Sequence, residues 1–279
     1  MVATKLEKLS LTLGVILICL FSVVPFYEMV RASLLPGKLQ FVYPPKLIPT
    51  SITLENFLTL LNPEKSMFLI WLRNSLIVAL SSAVISTLVG SFGGYVVVRF
   101  PIRGKRYIMY SILTAYLMTG ILVSIPLFLV IVSLGLYDTL ESIVFVYTLM
   151  NIPLCLYFSS NFYRGLPVEI EEAAIVDGAS LNQLITRVII PMSLPALISI
   201  FYFSFVLSFN EYLFASILLS SQEKYTVVRS FYILYTYQEE FSWGIVNAAA
   251  LFICIPLIIV FLILERYIIS GLTAGALKA

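Results

Sequence analysis

Six apolar runs, near residues 9–30, 69–98, 107–133, 139–160, 189–219 and 245–268, constrain this chain more than any other feature. Each is long enough for the roughly 20 residues an α-helix needs to cross a bilayer. Every backbone N–H and C=O in hydrocarbon must be satisfied within its own segment, so such runs fold as helices. The expectation is an all-α polytopic membrane protein with six transmembrane helices, a single domain over 1–279. Composition agrees: the chain is 60% hydrophobic and 11% charged, where soluble domains run near a quarter charged. Asn151 and Pro153 interrupt the run at 139–160, a break that a packed bundle tolerates. The first run is too long for a signal-peptide core and lacks a small-residue cleavage site close behind, so it is expected as a retained span.

Six spans put both termini on one side. The soluble segments on that side carry Lys5, Lys8, Arg99, Arg103, Lys105, Arg106, Arg164, Arg187, Arg266 and Lys278, ten basic residues against seven opposite. The short cluster RFPIRGKR between spans two and three decides the orientation, because short loops carry the positive-inside signal. Both termini are therefore expected in the cytoplasm. Outside lie a loop at 31–68 with a short helix near 53–61, a very short loop near 133–139, and a third loop at 220–240.

Enzyme chemistry finds little to work with. There is no histidine, which removes the common hydrolytic triads and any His-bearing metal site. Cys19, Cys155 and Cys254 all lie in apolar runs and read as buried small hydrophobes. Only two aspartates exist, Asp138 and Asp177, in or beside loops. The glycines of GSFGGYVVVRF at 90–100 lack the Lys-Ser/Thr of a P-loop and are better read as a close helix contact. The spans are almost free of charge. Glu28 sits near the outer end of the first, and Glu211 lies 20 residues beyond Pro191, about 30 Å along a helix. An ion-coupled carrier would place acids at the midplane. What survives is a transporter subunit energised from elsewhere, or a membrane scaffold with no solute path.

One segment contradicts the surrounding greasiness. LPVEIEEAAIVDG opens a helix, with Pro167 suited to its first position and Glu169, Glu171 and Glu172 at its positive end. Asp177-Gly178 ends it in a tight turn, and Ser180 with Gln183 has capping-box spacing for a second helix. On that helix Leu181, Leu184, Ile185 and Val188 share a face, while Asn182, Gln183 and Arg187 point elsewhere. The residues leave two readings open: an amphipathic interfacial loop, or a docking surface.

At these residues the chain resembles the inner-membrane permease subunits of ATP-binding-cassette importers, within them the maltose-type carbohydrate group and its smaller membrane subunit. The family signature, Glu-Ala-Ala, two residues, Asp-Gly-Ala and a later apolar-Pro step, reads here Glu172, Ala173, Ala174, Asp177, Gly178, Ala179, then Val188, Ile190 and Pro191. Further matches are Asn74 and Ser75, Tyr95 and Arg99 with Val96 for the usual alanine, Pro126, Gly135, Pro153 and Pro167, Asn210 and Glu211 with Phe209 for the usual tryptophan, and a matching C-terminus.

The resemblance implies a binding-protein-dependent importer permease fold and coupling helices at 168–187. There Glu171, Glu172, Ala173, Ala174, Asp177, Gly178 and Ala179 would meet a cytoplasmic ATPase, with Glu172 in polar contact and the alanines allowing close packing. It implies Asn210 and Glu211 at the translocation path or an external gate. Tyr225, Tyr235, Tyr237 and Glu239 would face an external solute-binding protein. A tail at 270–279, with Gly271, Thr273, Gly275 and Lys278, would reach between ATPase subunits. Expected partners are a second homologous permease subunit in a heterodimer, two ATPase subunits holding ATP and Mg, the external binding protein and the bilayer. No cofactor is expected in this chain, no nucleic acid among its partners, and its place is a prokaryotic cell membrane. The implied solute is a di- or oligosaccharide, with a sugar alcohol or glycerol-phosphate ester as the alternative.

Overall fold

The computed structural model describes residues 5–36, 47–49, 51–117, 120–236 and 243–276. Its secondary structure there is helical throughout, as hydrocarbon solvent requires. Helix α1 covers Lys5–Leu34, α2 Glu55–Leu61, α3 Phe68–Arg99, α4 Lys105–Leu117, α5 Gly120–Ser133 and α6 Leu140–Arg164. Then come α7 at Val168–Val176, α8 at Leu181–Gln183, a π-helical stretch at Leu184–Ile189, α9 at Ile190–Phe209, α10 at Leu213–Leu218, α11 at Val227–Thr236 and α12 at Trp243–Ala276. Among the described residues five helical runs are long and apolar enough to cross a membrane: Leu11–Leu34, Phe68–Arg99, Leu140–Arg164, Leu181–Phe209 and Trp243–Tyr267.

Within the run expected at 107–133 the described residues are helical, in α4 up to Leu117 and in α5 from Gly120. One expected span changes its bounds. The run expected at 189–219 is shifted toward its N-terminus. Helix is continuous from Leu181 to Phe209, stops at Asn210 and resumes only as the short α10. The interrupted run at 139–160 is, by contrast, one helix of 25 residues with Pro153 inside it.

The chain divides into two compact units, Met1–Leu69 with Ser230–Ile255, and Ile70–Arg229 with Pro256–Ala279. In the first, α1 is greasy on all sides, and none of its most apolar window is buried within the chain. A helix apolar all round belongs in lipid or against another subunit. Its far end is tied down by Asn56 of α2, which is buried and donates through Nδ2 to the carbonyls of Ser33 (2.8 Å) and Leu35 (3.0 Å). These are orphan carbonyls of a helix terminus, so Asn56 acts as a C-terminal clamp. Phe252 packs near Phe57 and Phe68 in the same unit, with ring centroids 6.0 and 5.9 Å away.

The second unit is built on close contact of α3, α6 and α9. A Cβ on Gly90 would lie 2.5 Å from Cys155 Cβ, and one on Gly94 would lie 2.9 Å from the backbone N of Ser160. Glycine is required at both positions by this approach, as the helix-contact reading of the sequence expected. The seam is joined by small polar groups. Ser82 meets Ser208 at 3.0 Å, Ser86 meets Ser204 at 2.7 Å, Asn151 Nδ2 donates to Ser208 Oγ at 2.8 Å, and Ser159 Oγ donates to the Gly90 carbonyl at 3.0 Å. Interhelical hydrogen bonds in membranes contribute on the order of 0.6 kcal/mol each. They fix which faces meet where apolar surface cannot, since lipid is as apolar as leucine. Asn151, which looked like an interruption in the sequence, is one of the joints. Replacing Gly94 with valine is expected to cost about 1–3 kcal/mol by overpacking, read as a lower unfolding temperature in detergent. A stability equal to wild type would show that the seam does not depend on this approach.

Candidate functional site

The segment after α6 folds as two short helices about a turn. Pro167 stands at the N-cap of α7, not at its first helical position as its sequence context led us to expect; its ψ of 127° keeps it outside the helix. The helix ends at Asp177. Gly178 has φ +84°, a left-handed conformation that costs a side-chain-bearing residue roughly 1–2 kcal/mol. Ala179 N then bonds the Ala174 carbonyl at 3.0 Å, closing the turn. Ser180 and Gln183 form the expected capping box: Ser180 N donates to Gln183 Oε1 (2.9 Å), and Gln183 N donates to Ser180 Oγ (3.4 Å).

The second helix does not keep the α period. Over Leu184–Ile189 it is a π-helix, with bonds between residues five apart. Leu184 and Ile189, five apart, therefore face the same way and are both buried, with Ile185 and Val188 beside them. Leu181, expected on this face, is 57% exposed. The widened turn replaces it with Ile189. These residues pack on Tyr95 and Tyr163, whose rings meet edge to face with centroids 5.5 Å apart, and Ala174 of α7 joins the cluster. Of the two signature alanines only Ala174 packs; Ala173 is exposed.

Glu171 holds the first helix to the bundle. Its side chain is 8% exposed, and Arg99 at the end of α3 donates from Nε to Oε1 at 2.6 Å. Tyr95 Oη donates to Oε2 at 2.9 Å, and Arg99 Nη2 also reaches the Leu166 carbonyl at 3.0 Å. Both carboxylate oxygens are thus engaged, as a buried charge requires. Glu171, expected in the ATPase-facing set, points inward. Glu172 beside it is exposed, and so are Ile175, Val176, Asp177, Gly178 and Leu181. The segment has an inner face pinned by a charge pair and an outer face with three bare apolar side chains around a turn.

Two further features lie in the same unit. A cavity of about 430 Å³ is lined by Tyr116, Tyr147, Asn151, Pro153, Ser208 and Glu211, among others. Glu211 also caps α10, its carboxylate accepting from Phe214 N at 3.1 Å. Asn210 instead turns back, Nδ2 donating to the Val206 carbonyl at 2.9 Å. At the opposite end from Arg99, Asp138 (φ 57°) gathers the loop after α10. It accepts from Ser220 N (2.8 Å), Ser221 N (3.0 Å), Ser221 Oγ (2.5 Å) and Lys224 Nζ (3.2 Å). Trp71, Asn74 and Ser75 at the start of α3 hold the same loop, bonding Gln222 O, Glu223 O and Val227 N at 2.7, 2.8 and 2.8 Å.

Residues 103–273 match the family described as binding-protein-dependent transport system inner membrane component. The chain belongs to this permease family. It is 34% identical over 273 residues to the inner membrane ABC transporter permease protein YcjP of Escherichia coli (strain K12), covering 98% of this chain and 97% of that protein. It is 33% identical over 273 residues, with 98% of each chain covered, to the trehalose/maltose transport system permease protein MalG of Thermococcus litoralis. Its fold matches the crystal structure of a bacterial ABC transporter involved in the import of the acidic polysaccharide alginate, with a TM-score of 0.77 over 95% of this chain and 99% of that one, at 24% identity. The protein is a multi-pass inner-membrane permease subunit, and ATP hydrolysis belongs to a separate subunit of such a system.

Other expected site residues of the permease are placed as follows. Tyr225, expected to face an external protein, is 7% exposed; its hydroxyl donates to the Ser220 carbonyl at 3.0 Å, and Arg229 lies 4.5 Å from its ring centroid. Tyr235 lies in α11, while Tyr237 and Glu239 are outside the described residues. Gly271, Thr273 and Gly275 continue α12 as helix to Ala276 and do not form an extended tail; Lys278 lies outside the described residues. Among the described residues no group of three or more His, Cys, Asp or Glu could hold a metal, and the three cysteines are free. Sequence reasoning passed over Arg99, Tyr95 and Asp138 as site residues. Tyr95 and Arg99 stand one helical turn apart in the sequence, but nothing local shows which carboxylate they meet.

Burial alone would raise the Asp138 carboxyl, but the hydrogen bonds from Ser221, Ser220 and Lys224 outweigh it and hold it below the ordinary carboxylate range. A depressed folded value means that the loop's stabilisation is complete above the unfolded pKa of about 4 and is lost as pH falls through the lower folded value. Limited proteolysis of residues 218–226 in the wild type should therefore stay slow from neutral pH to about pH 4 and quicken only below it. Asp138→Asn should be cut quickly at every pH. Equal rates for both proteins at neutral pH would refute this account.

Proposed function

We propose that this chain is one of two homologous permease subunits of an ATP-driven importer, a heterodimer served by two ATPase subunits holding ATP and Mg and by an external solute-binding protein. The observation that carries this reading is the two-faced segment at 168–187. Its inner face is fastened to α3 through Glu171–Arg99, while its outer face offers Glu172, Ile175, Val176 and Leu181 at a rigid turn. Exposed apolar side chains rimmed by polar ones mark a protein-docking site. A cytoplasmic ATPase that closes on ATP would push this element, and the Arg99–Glu171 pair would carry the displacement into α3. The π-helical stretch would carry it into α9. That is rigid-body alternating access driven by a partner.

In this reading α4 and α5 together make the third of six crossings, and both termini face the cytoplasm. The outer loops are 31–68 and 220–240, where Tyr235, Tyr237 and Glu239 are the candidates for contact with the binding protein. Residues 270–279 approach the ATPases. The solute is a di- or oligosaccharide. Support comes from the trehalose/maltose relative and from the cavity at Tyr116, Tyr147, Asn151 and Glu211, which pairs aromatic surface with hydrogen-bonding groups and, among the described residues, has no Lys or Arg in its lining. A phosphate ester would call for cations there.

Two substitutions separate coupling from assembly. Gly178→Val strains the turn, and Arg99→Leu leaves Glu171 buried and unpaired, a loss of about 3–5 kcal/mol at the joint. In proteoliposomes of the whole complex, both should lower solute uptake at least tenfold while the ATPase still copurifies. Normal uptake in both variants would leave the segment as an ordinary interfacial loop and favour a scaffold. Calorimetry with the binding protein encoded beside this chain tests the solute: binding of a di- or oligosaccharide is expected, and binding of amino acids alone would sink the carbohydrate assignment.

A further inference from the structure

A second cavity, of about 390 Å³, opens between α3, α4 and α6 at the end of the bundle that carries Arg99. Three cations line it: Lys105 and Arg106 from the first turn of α4, and Arg164 from the last turn of α6. Among the described residues no acidic residue contributes to the lining. Among the described residues the ion pairs are Arg31–Glu28, Arg99–Glu171 and Lys224–Asp138, so none of these three cations has a carboxylate partner. Arg106 is held in place by Tyr110, with its Nε donating to the phenol oxygen at 3.1 Å and its guanidinium 5.4 Å from the ring centroid. Arg164 has only a long 3.4 Å contact from Nη1 to Asn161 Oδ1.

Below the cations the lining turns apolar, with Val97 and Val98 of α3 and Met109 of α4, and Tyr157 of α6 completes the wall. The order along the bundle is charge at the helix ends and hydrocarbon toward the spans. A soluble anion would find only the first half of this site matched to it. An amphiphile with an anionic head and a hydrocarbon tail matches both. We propose that this cavity is a binding site for an anionic phospholipid. Its phosphodiester would sit among Lys105, Arg106 and Arg164, and the start of an acyl chain would lie along Val97, Val98 and Met109. Basic pockets between transmembrane helices at the headgroup level are the chemistry by which such lipids are recognised. The tyrosines suit the same depth, where amphipathic rings gather. Because the site joins the first turn of α4 to the last turn of α6, a bound lipid would brace the start of α4 against the bundle.

The test is native mass spectrometry of the full chain, purified in mild detergent from membranes containing phosphatidylethanolamine, phosphatidylglycerol and cardiolipin. Wild type should retain phosphatidylglycerol or cardiolipin through delipidation in preference to phosphatidylethanolamine. Arg164→Gln should lower that retention about fivefold, and the triple Lys105→Gln/Arg106→Gln/Arg164→Gln variant on the order of a hundredfold, from the worth of a basic residue at a lipid surface. Arg103→Gln removes one charge from the same loop but outside the cavity and should leave retention unchanged; Arg164→Lys should restore most of it. Each variant is first checked for a single symmetrical size-exclusion peak. If the triple variant fails that check, the Arg164 pair decides the matter.

Equal loss in Arg103→Gln and Arg164→Gln would reduce the effect to general loop charge and overturn the proposal. So would displacement of the lipid by millimolar inorganic phosphate or glycerol 3-phosphate, which would make this a small-anion site. Unselective lipid retention together with loss of ATPase copurification in Arg164→Gln would reassign the cations to the partner subunit, and the lipid site would fall.

Discussion

The pair between Arg99 and Glu171 is the contact on which the position of the two-helix segment depends. It joins the last residue of a 32-residue span to a nine-residue helix that has little of its own to hold it. Helices that short are marginal in isolation, and α7 has no side-chain cap at its start. Its position is set by one largely buried carboxylate whose two oxygens are divided between a guanidinium and a phenol. Breaking either half leaves a charge without compensation in a poorly hydrated site, a larger penalty than the pair's own attraction. That asymmetry holds α7 in one position against α3.

The rest of the second unit extends the same logic into lipid. Apolar side chains cannot select neighbours when the solvent is itself apolar, so α3, α6 and α9 are matched by close glycine contact and by serine and asparagine pairs. At the other end the device is a single aspartate. Asp138, in left-handed backbone beside the short turn before α6, collects three hydrogen bonds and an ion pair from the loop after α10. Trp71, Asn74 and Ser75 at the start of α3 hold the same loop. One helix is thus anchored to polar structure at both of its ends.

Much of this was legible in the residues alone. The capping box at Ser180 and Gln183, the turn at Gly178 and the short helix near 53–61 are set by local chemistry, and the structure has them all. The misreadings share one cause. Leu181 was counted onto one face with Leu184, Ile185 and Val188 in steps of three and four, but the π-helix at 184–189 changes the step. Tyr225 looked like a surface aromatic because it sits in a polar loop, yet its neighbours in space are Ser220 and Arg229. The expected span at 189–219 had the right composition and the wrong bounds, because hydropathy does not mark that a helix stops at Asn210.

By itself the sequence determined that this protein is an all-helical membrane permease with one polar, two-helix segment among its spans. Bilayer length, backbone hydrogen-bond demand and local capping act over a few residues to a few turns, so they can be read in order along the chain. Only the tertiary structure decided which way that segment's charges point. Glu171 and Glu172 are adjacent and chemically alike, and no local rule distinguishes them. The fold does, by bringing Arg99 and Tyr95 from more than seventy residues away onto one of the two. The other is left facing outward, and that division turns a polar interruption into an element with a fastened side and a free one.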